Sequence, residues 1–217
     1  MNLGIYLVTD RAICGARGVV ETVRAAVDGG VAAVQLRDKH AGFSAHLREL
    51  ERLAETIQGR ALLLVNDRLD VAAAARERGI PLDGVHLGQG DPAVLSARAE
   101  LGPDAVIGLT ANSDEHLAAV ARLPDGTVDY LGIGVIRPTA TKPDHPPALG
   151  FDGFQRLAAA APVPSVAIGG IGLDDITRLR DDGAAGVAIV SAICAADDPK
   201  ATARRFVRAW SRARTAP

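Results

Sequence analysis

The amino-acid sequence predicts an α/β fold, a TIM (β/α)8 barrel formed as a single domain over residues 1–217, and three observations carry that expectation. Short apolar runs alternate with longer amphipathic segments from end to end, which is the rhythm of βαβ units in a parallel sheet. The runs are continuous in Val, Ile, Leu and Ala rather than interleaved with polar residues, so each strand should be covered on both faces. About eight such units in a chain of this length match a compact barrel. A doubly wound dinucleotide-binding sheet is the alternative, but no G-x-G-x-x-G follows the first run, where that fingerprint belongs.

Taken in order, residues 3–8 form the first expected strand and run into Asp10 and Arg11. A helical segment over 19–28 follows, and the second strand, 32–36, carries Gln35 and leads to Arg37, Asp38 and Lys39. The helix at 43–57 returns the chain to the third strand, 61–65, which ends in Asn66 and Asp67. After a helix at 69–78 comes the fourth strand, 84–87, with His86, Gly88, Gln89 and Asp91. The fifth, 105–109, ends at Thr110 and Asn112, and a helix is expected over 115–122. The sixth, 128–132, opens into a long loop holding Thr139, Thr141 and Lys142. The seventh, 164–168, ends in Gly169 and Gly170; the eighth, 186–190, ends in Val190 and Ser191, and a helix at 199–214 closes the chain.

In a barrel these strand ends meet on one rim, where such enzymes place their active sites. Arg37, Lys39 and Lys142 supply positive charge and donors for a phosphate or diphosphate. Asp67 and Asp91 are hard oxygen donors suited to Mg²⁺ shared with phosphate oxygens, because Mg²⁺ keeps waters and takes only one or two carboxylates. The run Gly169-Gly170-Ile171-Gly172 and the segment after Ser191 can offer backbone N–H groups to a second phosphate. Simpler roles exist for each residue. Asp67 and Asp91 could be helix N-caps, and the loop at 139–142 could be ordinary polar surface. His86 is expected to pack or hydrogen-bond near the barrel top. His40, His46, His116 and His145 read as surface residues, and Cys194 as a small apolar filler. The joint placement of cations, amides and carboxylates at consecutive strand ends favours a site.

Composition narrows the class further. Hydrophobic residues are 48% and charged residues 23% of the chain, with a net charge of −2, so nothing draws it generally to nucleic acid or an anionic membrane. Two cysteines without ligand spacing, Cys14 and Cys194, fit a reducing compartment. The start, MNLGIYLVTDR, lacks the basic and apolar regions of a signal peptide, so a cytoplasmic enzyme is expected.

The segments YLVTDR (6–11), VQLRDK (34–39), VNDRLDVA (65–72), GVHLGQGD (84–91), DYLGIGVIRPTATK (129–142), VAIGGI (166–171) and VAIVSAI (187–193) together resemble the thiamine-phosphate synthase family. The resemblance implies a TIM barrel that joins 4-amino-2-methyl-5-hydroxymethylpyrimidine diphosphate to 4-methyl-5-(2-hydroxyethyl)thiazole phosphate. Thiamine phosphate and diphosphate are the implied products, and a requirement for Mg²⁺ is implied as well. It further implies that Gln35, Arg37, Lys39 and Asn66 hold the pyrimidine diphosphate, that Asp67 and Asp91 bind Mg²⁺, and that Thr110 and Lys142 line the pyrimidine and diphosphate side. Thr139, Thr141, Gly170, Val190 and Ser191 would face the thiazole phosphate, and the family pattern implies a small homo-oligomer. Arg37, Lys39, Thr110 and Lys142 are the expected catalytic groups. The chain departs from the usual pattern at Thr110-Ala111-Asn112 and at Arg137. A thiazole tautomerase of the same fold is the nearest rival, and it would need a proton-transfer residue where this chain has Asn112. A non-catalytic thiamine sensor and a sugar-phosphate epimerase are weaker alternatives.

Overall fold

The computed structural model describes residues 3–89, 94–139, 141 and 147–212. Strand β1 (Gly4–Val8) is followed by α1 (Arg11–Cys14), a 3-10 turn (Gly15–Arg17) and α2 (Gly18–Asp28). Then come β2 (Ala33–Leu36), α3 (Phe43–Ile57), β3 (Leu62–Asn66), α4 (Leu69–Glu77), β4 (Gly84–Leu87) and α5 (Val94–Leu101). The second half runs β5 (Val106–Thr110), α6 (Asp114–Val120), β6 (Tyr130–Gly134), α7 (Gly150–Ala160) and β7 (Ser165–Ile168). A 3-10 turn (Leu173–Asp175), α8 (Ile176–Asp181), β8 (Gly186–Ile189), α9 (Ser191–Cys194) and α10 (Pro199–Ser211) complete it.

The strands close into an all-parallel barrel in chain order, β8 pairing with β1. Observed strands sit within one or two residues of the expected runs. The largest shift is β6, which begins at Tyr130 because the ladder to β5 starts with the pair Gly108 and Tyr130; Val128 is buried but precedes that ladder. The continuous apolar runs are explained by two cores. One layer lies between strands and helices and includes Leu36, Val65, Ile107 and Phe154. The other fills the barrel itself with Leu3, Tyr6, Val8, Leu64, Tyr130 and Val166. Parallel strands buried on both faces leave no polar alternation to read.

Carboxylates close the amino end of the barrel. Asp83 accepts from the Leu63 N–H at 2.7 Å, and Asp129 accepts from the Ile107 N–H at 2.7 Å while pairing with Arg98 at 2.7 Å. These side chains satisfy strand-start donors that have no ladder partner. The residues around 78–81 fall between the end of α4 and the start of β4, at this same end and away from the carboxyl rim. No helix among the described residues is long and apolar enough to cross a membrane.

Candidate active site

The carboxyl ends of the strands surround one cavity of about 330 Å³. Gln35, Arg37, Lys39, Asn66, Asp67, Thr110, Thr139, Thr141, Gly170, Val190 and Ser191 all border it. Asp91 and Lys142 lie outside the described residues.

The cationic wall is built by the turn after β2. Thr9, fully buried, accepts the Arg37 backbone N–H at 3.0 Å, and Asp10 lies 3.6 Å from the Arg37 guanidinium. Asp38 folds the turn by accepting N–H groups from His40 and Ala41 at 3.0 and 3.1 Å. Arg11 bridges Asp38 at 2.7 Å and Glu49 at 2.9 Å. Burial pushes the Asp38 carboxyl upward, but Arg11 and the two N–H donors outweigh it and hold the group below its usual range. Asp10, Arg11 and Asp38 therefore shape the loop, whereas Arg37 and Lys39 face the cavity.

Asp67 has a different setting from a helix cap. The N-cap of α4 is Arg68, without a capping side-chain bond. Asp67 itself sits in the left-handed region at φ 62°, donates its N–H to the His86 carbonyl at 2.8 Å, and accepts from the Asn66 side-chain amide at 2.6 Å. A non-glycine residue held there is uncommon, although Asp tolerates it better than most. The conformation turns its carboxylate to the cavity wall, where an oxygen donor matches the preference of Mg²⁺. Among the described residues no group of three or more His, Cys, Asp or Glu side chains is placed to hold a metal ion; Asp67 suits a cation that draws its remaining ligands from phosphate and water.

The opposite wall joins the loop after β6 to the glycine turn after β7. Arg137 forms a two-armed bridge to Asp175 at 2.5 and 2.8 Å and donates to the Gly170 carbonyl at 3.1 Å. Its guanidinium also lies 4.9 Å from the Phe151 ring centre. Asp175 accepts the Gly172 N–H at 2.8 Å, and Arg137 holds its carboxyl below the usual range. Gly169 and Gly170 adopt φ 99° and 66°; a Cβ on Gly170 would come within 2.8 Å of the Arg137 Cβ. The turn is thus closed to larger residues, and its backbone can approach a ligand. Arg137, an unusual residue at this place in the sequence, is accounted for as the clamp between the two loops.

The structure also brings in Tyr6 and Tyr130, which no strand-end position marks. Tyr6 and Tyr130 reach into the barrel beneath the cavity, both fully buried. Gln35 donates to the Tyr6 hydroxyl at 2.8 Å, the two hydroxyls are 3.0 Å apart, and His86 Nδ1 lies 2.9 Å from Tyr130. His86 Nε2 continues to the Thr110 hydroxyl at 3.1 Å. A signal existed: a tyrosine inside an aliphatic strand must find a partner for its hydroxyl. His86 hydrogen-bonds near the barrel top, as expected. His46 is a correction: it is 1% exposed, because the apolar face of α3 turns it inward with Leu47 and Leu50. His116 is half-buried, accepting the Asn112 N–H at 3.1 Å.

Burial pushes the Tyr6 hydroxyl from 10.0 up to about 12, and burial together with Tyr6 raises Tyr130 well above its ordinary value. These are the two tyrosines of the chain. The native protein retains both protons where the unfolded chain releases them, so stability is full below the ordinary tyrosine pKa and declines as pH rises toward the native value. Ultraviolet titration should show no tyrosinate in the folded protein through the ordinary tyrosine range, with ionisation appearing together with unfolding. Ordinary tyrosinate formation in the native protein would contradict the buried pair.

Comparisons with known proteins agree with this geometry. The family model described as Thiamine monophosphate synthase matches residues 5–193. The thiamine-phosphate synthase of Psychrobacter sp. (strain PRwf-1) is 45% identical over 205 residues, covering 94% of each chain. That of Azorhizobium caulinodans is 46% identical over 204 residues, covering 94% of this chain and 92% of its own. Among solved structures, the thiamine phosphate pyrophosphorylase of Pyrococcus furiosus superposes with a TM-score of 0.82 at 31% identity, covering 96% of this chain and 95% of the other. With its barrel, its cavity and its sequence all pointing the same way, the chain belongs to the thiamine-phosphate synthase family.

Proposed function

We propose that this protein is a transferase that condenses 4-amino-2-methyl-5-hydroxymethylpyrimidine diphosphate with 4-methyl-5-(2-hydroxyethyl)thiazole phosphate, giving thiamine phosphate and diphosphate. The observation that carries the reading is that Arg37, Lys39 and Asp67 share one cavity with the Gly169–Gly170 turn. One wall is suited to a diphosphate and the other to a phosphate.

Arg37 and Lys39 bind the diphosphate and offset the charge that grows on it as its bond to the pyrimidine methylene breaks. Lys142, outside the described residues, is assigned to the same task. Mg²⁺ held by Asp67 and Asp91, when bound, would supply further neutralisation of the leaving diphosphate. The departing diphosphate takes the C–O electron pair, and the electron-rich aminopyrimidine stabilises the resulting methylene cation. Thr139, Thr141, Gly170, Val190 and Ser191 anchor the thiazole phosphate, so that the thiazole nitrogen is aimed at that carbon and donates its lone pair to form the C–N bond. Gln35, Asn66 and Thr110 hold the pyrimidine side. No enzymic nucleophile takes part.

Purified protein incubated with both substrates, with and without Mg²⁺, should release diphosphate and thiamine phosphate in equal amounts and only with the metal. Binding of thiazole phosphate without product would overturn the reading in favour of a tautomerase or a sensor. Asn112 weakens the tautomerase, since its side chain has no titratable group and accepts from the Gly134 N–H at 3.3 Å.

The loop clamp makes a separate prediction. Arg137→Ala should raise the KM for thiazole phosphate by about three- to tenfold, the range for losing hydrogen bonds and a partly exposed bidentate pair. The KM for the pyrimidine diphosphate should hardly move. Equal changes in both would show that Arg137 supports the fold generally.

A further inference from the structure

The hydrogen-bonded chain Gln35–Tyr6–Tyr130–His86–Thr110, buried at Gln35, Tyr6 and Tyr130 and part-buried at His86 and Thr110, crosses the barrel from β2 to β5. Room for it is built into the strands. His86, Gly108 and Tyr130 are neighbours in register across β4, β5 and β6. A Cβ on Gly108 would come within 2.4 Å of the Tyr130 hydroxyl and 2.5 Å of His86 Nδ1. On Gly132 it would come within 2.9 Å of the His86 ring. Side chains at these two positions are excluded so that the polar chain can pass.

The chain has a direction. The Gln35 amide nitrogen can only donate, so the Tyr6 oxygen accepts; the one arrangement of the remaining contacts that gives each hydroxyl proton an acceptor within the chain sends the Tyr6 proton on to Tyr130. In that arrangement the Tyr130 proton meets a bare His86 Nδ1, and the neutral ring carries its proton on Nε2 toward Thr110. Thr110 then accepts that bond and retains its own proton, and Gln35, with its nitrogen engaged, retains its amide oxygen as an acceptor; both residues border the cavity. One end therefore offers an acceptor and the other a donor.

We infer that Tyr6, Tyr130 and His86 are positioning residues that fix this polarity, so that the pocket selects a 4-aminopyrimidine over its 4-oxo counterpart. An aminopyrimidine donates from its amine and accepts at its ring nitrogens. The 4-oxo ring accepts where the amine donates and carries a proton on a ring nitrogen, so it meets both ends of the chain with the wrong partner. The inference deepens the proposed function and rests on a pyrimidine occupying this side of the cavity.

Two measurements test it. In ¹⁵N-histidine spectra of the protein alone, with His86 assigned by its loss in His86→Asn, Nε2 should be protonated and Nδ1 bare. The reverse tautomer would overturn the polarity. In calorimetry with the 4-amino and 4-oxo pyrimidine diphosphates, Tyr130→Phe should lower the affinity ratio about tenfold while thiazole-phosphate affinity stays constant. An unchanged ratio would overturn the inference, and Tyr6→Phe provides the same test should Tyr130→Phe fail to fold. Because both readouts need no turnover, a protein that discriminates the two rings but makes no product would refute the synthase reading while upholding the polarity.

Discussion

Asp67→Asn should lower metal-dependent turnover by about a thousandfold or more, the scale for losing a principal charge-stabilising element of a transition state. Asparagine is the informative substitution because Asp67 sits at φ 62°, a region that Asn also occupies with little penalty. Alanine there would add backbone strain and blur the result. The N–H bond to the His86 carbonyl is a backbone contact and survives the change. The Asn66 amide, now 2.6 Å from a carboxylate oxygen, can still donate to the new amide oxygen. The thermal midpoint should consequently stay near that of the parent, while calorimetry with Mg²⁺ and the pyrimidine diphosphate loses its metal-dependent component. Full turnover with an unaltered Mg²⁺ requirement would remove Asp67 from the metal site.

Arg37→Ala should reduce kcat/KM for the pyrimidine diphosphate by about a hundred- to a thousandfold, the range observed when one oriented donor is taken from a developing anion. Its local scaffold should persist. Thr9 binds the backbone N–H of residue 37, which alanine retains. Asp10 still caps α1 by accepting the Ile13 N–H at 3.1 Å. Arg37→Lys should recover only part of the loss, because a point charge cannot reach Asp10 and a phosphate oxygen with separate arms of one planar group. Thiazole-phosphate KM should be unaffected. A comparable loss for both substrates, or full recovery with lysine, would argue against a directional guanidinium contact.

Both variants probe residues that stand out in the sequence, and for a shared reason. Arg37 and Asp67 directly follow apolar runs, and in a parallel barrel every such position arrives at the same rim. Their gathering is a consequence of strand direction, so it is legible once the strands are. The supports behind them are not. Nothing local in the sequence pairs Arg11 with Glu49, thirty-eight residues away, or Arg137 with Asp175. The misplaced surface reading of His46 has a similar origin: one histidine on an amphipathic helix carries no sign of the face it takes.

By itself the sequence determined the parallel α/β architecture, the order and approximate limits of the strands, and which polar residues stand at their carboxyl ends. These follow from periodicity and from chain direction, both of which are local. Only the tertiary structure decided that Asp67 takes a left-handed turn rather than capping α4, that Arg137 clamps two loops, and that Gln35 is linked to Thr110 through Tyr6, Tyr130 and His86. The last of these depends on the registers that set Gly108 between His86 and Tyr130. In strands buried on both faces the apolar pattern does not single out one register, so the pairing is settled only when the whole barrel closes.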